Sequence, residues 1–189
     1  RSFMSEGLND YRKMMLMRGR PKILLAINFE EGKELFEKYK ENLLGVISDV
    51  NYFRDGKRDP EAGFYLLKYV RSYERYFPFL IQSSDINNEK TATELKGKFL
   101  YKYSETLEEE LKIYINQYFS FGDFEFWDPV QGKVLAVAKD LTALQKILAE
   151  VPIECITYHS KRSEYSKWLR SRALFPLAHL LSHVEYDDF

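Results

Sequence analysis

Four short apolar runs punctuate the first hundred residues, and each is followed by a stretch with a different rhythm. Lys22-Ile23-Leu24-Leu25-Ala26-Ile27, Leu43-Leu44-Gly45-Val46-Ile47, Phe79-Leu80-Ile81-Gln82 and Phe99-Leu100-Tyr101 are nearly continuous in apolar character. Runs of that length read as strands buried on both faces. After the first, Asn28 stands three residues before Glu31 as a capping box, and Leu35, Phe36 and Tyr39 supply the inner face of a helix. Glu30, Lys33, Glu34, Glu37, Lys38 and Lys40 form its solvated outer face. After the second run comes a loop rich in Asp, Gly, Arg and Pro. A helix then carries Ala62, Phe64, Tyr65, Leu66, Leu67, Tyr69 and Val70 at helical spacing and runs to about Arg75. A polar helix over about Asn87 to Lys96 is closed by Gly97. Ser104 or Thr106 caps a further helix bearing Leu107, Leu111, Ile113, Tyr114, Ile115 and Tyr118. Residues 1–19, with Phe3, Met4, Leu8, Tyr11, Met14, Met15 and Leu16 near one broad face, predict a helix ahead of the first strand. Alternating helices and strands with short connections predict an α/β fold, a parallel sheet covered by helices on both faces.

The rhythm changes at Phe121-Gly122, which divides the chain into a domain over 1–120 and an extension over 121–189. Phe124 to Trp127 and Lys133 to Val137 flank Asp128-Pro129-Val130-Gln131-Gly132 and predict a β-hairpin. Asp140 caps a helix with Leu141, Leu144, Ile147 and Leu148, which Pro152 ends. A helical pair follows from about Ile153 to Leu181. His159 and Arg162 lie one turn apart on it. Their sequence admits an anion or nucleotide contact, but the structural alternative is favoured: Tyr165 and Trp168 pack inward and Arg162 pairs with an acid.

Composition narrows the function classes. Of 189 residues, 45% are hydrophobic and 16% aromatic, enough to fill a core, which argues against disorder. The net charge of -1 provides no basic field for nucleic acid and no polybasic membrane signal. The single cysteine, Cys155, has no partner for an internal disulfide or a zinc cluster. All three histidines follow residue 158, which disfavours a histidine metal site. No apolar run approaches the roughly 20 residues needed to span a bilayer, and the first residues lack the apolar core of a signal peptide. The compartment expected is the cytoplasm. A glycine-rich phosphate loop and a nucleophile–histidine pairing are both absent from the sequence, which ranks an independent enzyme last.

The candidate chemistry lies where the strands end. Three consecutive predicted strands stop at Asp49, at Ser83 with Ser84 beside it, and at Lys102. In a parallel sheet these ends share one edge, the edge at which open α/β sheets place ligands. A carboxylate, a hydroxyl and an ammonium are therefore expected to converge there.

This order of strands and end residues resembles the receiver domain of bacterial response regulators over about residues 8–119, a flavodoxin-like fold. The resemblance implies that Asp49 is the phosphoacceptor, that Asn51 lends its backbone carbonyl to a magnesium ion also held by Asp49, and that Ser83 and Lys102 bind the phosphoryl group. It further implies that Phe99 moves as a switch with the hydroxyl and that the helix near Glu94 belongs to the partner surface, with a phosphodonor or histidine kinase upstream. A carboxylate can accept a phosphoryl group when a metal and a cation offset the charge on the transferred oxygens. The sequence departs from the family in three places. No strand precedes the first helix, so the acidic pair that holds magnesium in receivers has no counterpart, Glu6 and Asp10 being helical. Tyr103 stands where receivers usually have proline, and the loop after Asp49 is long. A receiver lacking its first strand would leave unpaired backbone groups, each costing about 1–3 kcal/mol. The expectation is a fragment truncated at its N-terminus, with weak or no magnesium binding, whose gap a homodimer could cover.

The segments GDFEFWDP and YHSKRSEYSKWLRSRALFPLA, following such a domain, are similar to the N-terminal part of phosphoenolpyruvate synthase or pyruvate phosphate dikinase-like proteins of Bacteroidetes type. That resemblance implies an ATP- and pyruvate-binding domain downstream in the same polypeptide and no kinase activity in this chain alone. Two readings of the module stand: a phosphorylated regulatory receiver, or a pseudo-receiver that positions or docks by packing.

Overall fold

The computed structural model describes residues 21–182. The helix expected over 1–19 lies outside the described residues, as do Glu6 and Asp10. The elements are α1 (Phe29–Tyr39), β1 (Val46–Asp49), β2 (Tyr52–Arg54), β3 (Lys57–Asp59), α2 (Ala62–Tyr73), β4 (Phe79–Ser83), α3 (Asn88–Glu94), β5 (Lys98–Tyr101) and α4 (Leu107–Tyr118). They continue with β6 (Phe124–Asp128), β7 (Lys133–Ala138), α5 (Leu141–Leu148), α6 (Ile153–Ser160), α7 (Glu164–Ser171) and α8 (Phe175–Ser182).

The fold is α/β, with β1, β4 and β5 forming a parallel three-stranded sheet in that order. Val46 pairs with Phe79 and Asp49 with Gln82, while Leu80 pairs with Lys98 and Ser83 with Tyr101. Paired residues in a sheet point to the same face, and successive ones to opposite faces. Val46, Phe79, Ile81 and Phe99 therefore look one way, into a core with Phe36 of α1, Leu67 and Val70 of α2 and Ala92 of α3. Leu80 and Leu100 look the other way, against Leu107, Leu111 and Tyr114 of α4. Helices thus cover both faces, as the alternation predicts.

The segment 22–27 corrects the sequence reading. It forms no strand, and Ile23, Leu25 and Ile27 are 86%, 79% and 80% exposed. Its nearest approach to a ladder is a single bridge between Asn28 and Phe53. An apolar run becomes a strand only where a partner takes up its backbone groups, and among the described residues none lies alongside this one. The capping box at its end does form: Asn28 Oδ1 accepts from the Glu31 N–H at 2.8 Å, and Glu31 reaches back to the Ile27 N–H at 2.9 Å.

The loop after Asp49 also holds more order than expected. β2 and β3 pair as an antiparallel hairpin around Asp55-Gly56, both at positive φ (51° and 72°). Arg54 stacks its guanidinium 3.7 Å from the Tyr65 ring centroid and pairs with Asp59, tying the hairpin to α2.

The extension has its own core. Phe124 and Phe126 of β6 alternate inward and meet Cys155, Tyr165, Trp168, Leu169 and Ala178. The hairpin and the Asp140 cap, whose Oδ1 accepts from the Ala143 N–H at 2.8 Å, are as expected. The expected helical pair is instead three helices, α6, α7 and α8, because Ser163 turns the chain at φ 55° between the first two. Trp168 Nε1 donates to Gly122 O at 3.1 Å, and buried Lys167 reaches Glu74 at 2.6 Å. The Lys167–Glu74 pair fastens the extension to the end of α2.

Candidate functional site

Asp49 ends β1 at the carboxyl edge of the sheet. Lys102 follows β5, and its N–H still donates to Ser83 O at 2.9 Å, so the ladder carries the lysine into register. Leu100 pairs with Gln82 and Gln82 with Asp49, which puts Lys102, two residues past Leu100, on the Asp49 face. The Lys102 ammonium donates to Asp49 Oδ2 at 2.5 Å. Asp49 Oδ1 accepts from the Val50 N–H at 2.7 Å. Each carboxylate oxygen therefore has one donor, and the pair remains open to solvent, with the side chains 44% and 36% exposed.

The backbone beneath this carboxylate is clamped. Val50 is buried, and its carbonyl accepts from the Gly63 N–H at 2.9 Å. A Cβ on Gly63 would lie 2.1 Å from Asp49 O and 2.9 Å from Val50 Cα. Only glycine lets α2 begin so close to the strand end. The buried Ser48 hydroxyl donates to Asp49 O at 2.8 Å and lies 3.2 Å from the Tyr52 hydroxyl. Burial, reinforced by the Asp49 charge and opposed by the Ser48 bond, pushes the Tyr52 phenol above its ordinary pKa. Gly63, Ser48 and Val50 were not singled out from the sequence as parts of a site. A glycine at the start of the helix that follows the acidic strand end was the available signal for the first.

Ser83 is where sequence reasoning and geometry part. It ends β4 as expected but shares a face with Phe79 and Ile81, opposite to Asp49. It is 5% exposed, and its hydroxyl accepts from the Asp85 N–H at 3.0 Å and from Asn88 Nδ2 at 2.9 Å. It thus organises the entry to α3, while the exposed Ser84 follows it. Strand ends on one edge need not present side chains on one face, and the alternation decides which they do. Phe99, paired with Ile81, packs half-buried on the Ser83 side. Asn51 is exposed, and its side chain accepts from Arg58 Nε at 2.9 Å. Glu94 is the last residue of α3.

A magnesium ion calls for several oxygen ligands in near-octahedral array. Among the described residues no group of three His, Cys, Asp or Glu side chains is placed to hold a metal. Asp49 offers one carboxylate, already bonded to Lys102 and Val50. This donor set does not fit the ion that the receiver resemblance implies.

His159 and Arg162 do not act together. His159 Nε2 accepts from the Trp127 N–H at 2.8 Å, so Nδ1 carries the proton and faces Glu164 Oε2 at 2.5 Å. The ring is 3% exposed and clips β6 to α7. Tyr165 and Trp168 are buried as expected. Arg162 corrects the expectation of an acidic partner: its guanidinium lies over Tyr76 and Tyr158, at 4.5 and 4.3 Å from the ring centroids.

Among the described residues no helix is long and apolar enough to cross a membrane. Comparison of the chain with protein-family models, curated proteins and solved structures finds no match.

Proposed function

We propose that the Asp49–Lys102 rim is a phosphoacceptor site and that residues 1–120 act as a flavodoxin-like, receiver-type regulatory module. The observation that supports this reading most is the 2.5 Å contact between a solvent-open carboxylate at one parallel strand end and an ammonium beyond another. In the proposed step an Asp49 carboxylate oxygen attacks the phosphorus of an acyl phosphate donor. The bond from phosphorus to the donor oxygen breaks, the donor leaves as its carboxylate, and Asp49 becomes an acyl phosphate. The Lys102 ammonium then pairs with the new phosphoryl oxygens in place of the carboxylate it held. The clamp from Gly63 and Val50 holds the nucleophile still.

Phe99 and Ser83 lie on one face beside α3, which favours the Glu94 helix as the element that reads the change. On this reading the module regulates a larger phosphoenolpyruvate synthase or pyruvate phosphate dikinase-like phosphotransferase that binds ATP and pyruvate downstream, and a histidine kinase or another phosphodonor supplies the phosphoryl group.

One observation favours a second reading, a phosphorylation-independent pseudo-receiver that docks or positions by packing. The Ser83 hydroxyl is already bonded to Asp85 and Asn88 and faces away from Asp49. Incubation with acetyl phosphate separates the two. The phosphoacceptor reading expects a gain of one phosphoryl group in intact mass, lost in Asp49→Asn; an unmodified wild-type chain favours the pseudo-receiver.

A further inference from the structure

A cleft of about 980 Å³ opens at the other end of the strands from Asp49. One wall is the end of α2, the starts of β4 and β5 and the end of α4. The other is β6 with α6 and α7.

Two guanidinium groups meet at one ring inside it. Arg162, in the turn between α6 and α7, lies 4.5 Å from the Tyr76 ring centroid and 4.3 Å from that of Tyr158. Arg75, in the turn between α2 and β4, lies 5.7 Å from the same Tyr76 centroid. Lys98, at the start of β5, places its ammonium 4.9 Å from the Tyr118 centroid. Arg162 is half-buried with its side-chain nitrogens open to solvent, while Arg75 and Lys98 are exposed. The rings thus hold these cations in place without taking up their hydrogen-bonding capacity.

Among the described residues none of the three pairs with a carboxylate. The acids nearby are engaged elsewhere or stand apart: Glu74 bonds Lys167, Glu164 bonds His159, and Asp123 and Glu125 on the lining form no ion pair. Like charges held against one ring repel each other, and an anion lying between them removes that repulsion. A guanidinium fork matches phosphoryl oxygens two at a time. Two forks call for two linked phosphoryl groups, and Lys98 supplies a third positive charge. Tyr76, Tyr118 and Tyr158 already carry cations, so these rings leave charge, rather than stacking, to select the ligand.

We propose that the cleft binds inorganic diphosphate, one phosphoryl group on Arg162 and the other on Arg75, within the field of Lys98. Arg75 and Tyr76 belong to 1–120, whereas Arg162 and Tyr158 belong to the extension, so the bound ion ties the two units together. This site is separate from the Asp49 rim and does not depend on that rim's chemistry.

Calorimetric titration of the 189-residue chain with pyrophosphate, phosphate and ADP at fixed ionic strength tests it. Pyrophosphate is expected to bind about tenfold or more tighter than phosphate, because only the diphosphate engages both forks. ADP is expected to bind more weakly than pyrophosphate, having less charge and a nucleoside that finds the tyrosine rings taken. Arg75→Gln and Arg162→Lys are each expected to weaken pyrophosphate about tenfold with unchanged circular dichroism, the second because it keeps the charge and loses the fork. Arg75 is exposed, so its variant decides the matter if Arg162→Lys fails to fold. Asp49→Asn is expected to bind pyrophosphate as the wild type does. Absence of binding at millimolar pyrophosphate, phosphate binding as tightly as pyrophosphate, ADP binding more tightly, unchanged affinity in Arg75→Gln, or lost affinity in Asp49→Asn overturns the proposal.

Discussion

Lys102 sets its ammonium 2.5 Å from Asp49 Oδ2 although 53 residues separate the two in sequence. Two parallel crossovers bring them together: the Asp49–Gln82 and Gln82–Leu100 registers fix both on one face of the sheet. The pair is solvent-open, and exposed ion pairs contribute about 0–1 kcal/mol. Lys102→Met is therefore expected to change urea-unfolding stability by less than about 1 kcal/mol while greatly reducing phosphoryl incorporation from acetyl phosphate. A large loss of stability would mean that the contact is structural.

Gly63 is expected to tolerate no side chain. In Gly63→Ala the methyl group would meet Asp49 O and Val50 Cα well inside contact distance. Overpacking of this kind costs about 1–3 kcal/mol, read as a lower urea midpoint with an unchanged slope. Because the strain falls on the peptide that carries Asp49, phosphoryl incorporation is expected to fall with it. Wild-type stability in Gly63→Ala would contradict the clamp.

Lys167 gives a pH dependence with a defined sign. Burial pushes its ammonium below the ordinary lysine pKa, with Glu74 pulling the other way. Between the folded value and the ordinary one, the unfolded chain holds more protons, so stability rises with pH through that window. The difference in unfolding free energy between wild type and Lys167→Met is expected to grow in favour of the wild type as the pH rises toward the ordinary lysine value of about 10.4, and to level off above it. A flat or falling difference would contradict the burial of this charge between α2 and α7.

Much of this architecture was legible in the apolar runs. Phe79–Ser83 and Lys98–Tyr101 became strands where the runs stood, and Asp49 closed its strand, because continuous apolar sequence is stable only inside a sheet covered on both faces. The run at Ile23 to Ile27 failed for the same reason, since strand formation needs a neighbour and the pattern of one segment cannot report one. The β2–β3 hairpin had a signal in Asp55-Gly56, the pair that suits a tight turn with both central residues at positive φ, but Arg54, Lys57 and Arg58 hid its alternation. Ser83 was misjudged on a different ground. Spacing located the strand end, whereas the face depends on the register with neighbouring strands, which becomes visible only when Ser83 is paired with Tyr101 and Gln82 with Leu100. Arg162 stacks on Tyr76, a residue of the other unit, so no local pattern could have identified its partner.

Borohydride reduction after incubation with acetyl phosphate, followed by peptide mass spectrometry, tests the phosphoacceptor assignment most directly, because hydride converts an aspartyl phosphate to homoserine and leaves free carboxylates alone. The account predicts homoserine at position 49 in the wild-type chain and far less in Lys102→Met at matched exposure. Unmodified Asp49 in the wild type, or homoserine at another aspartate instead, would contradict it.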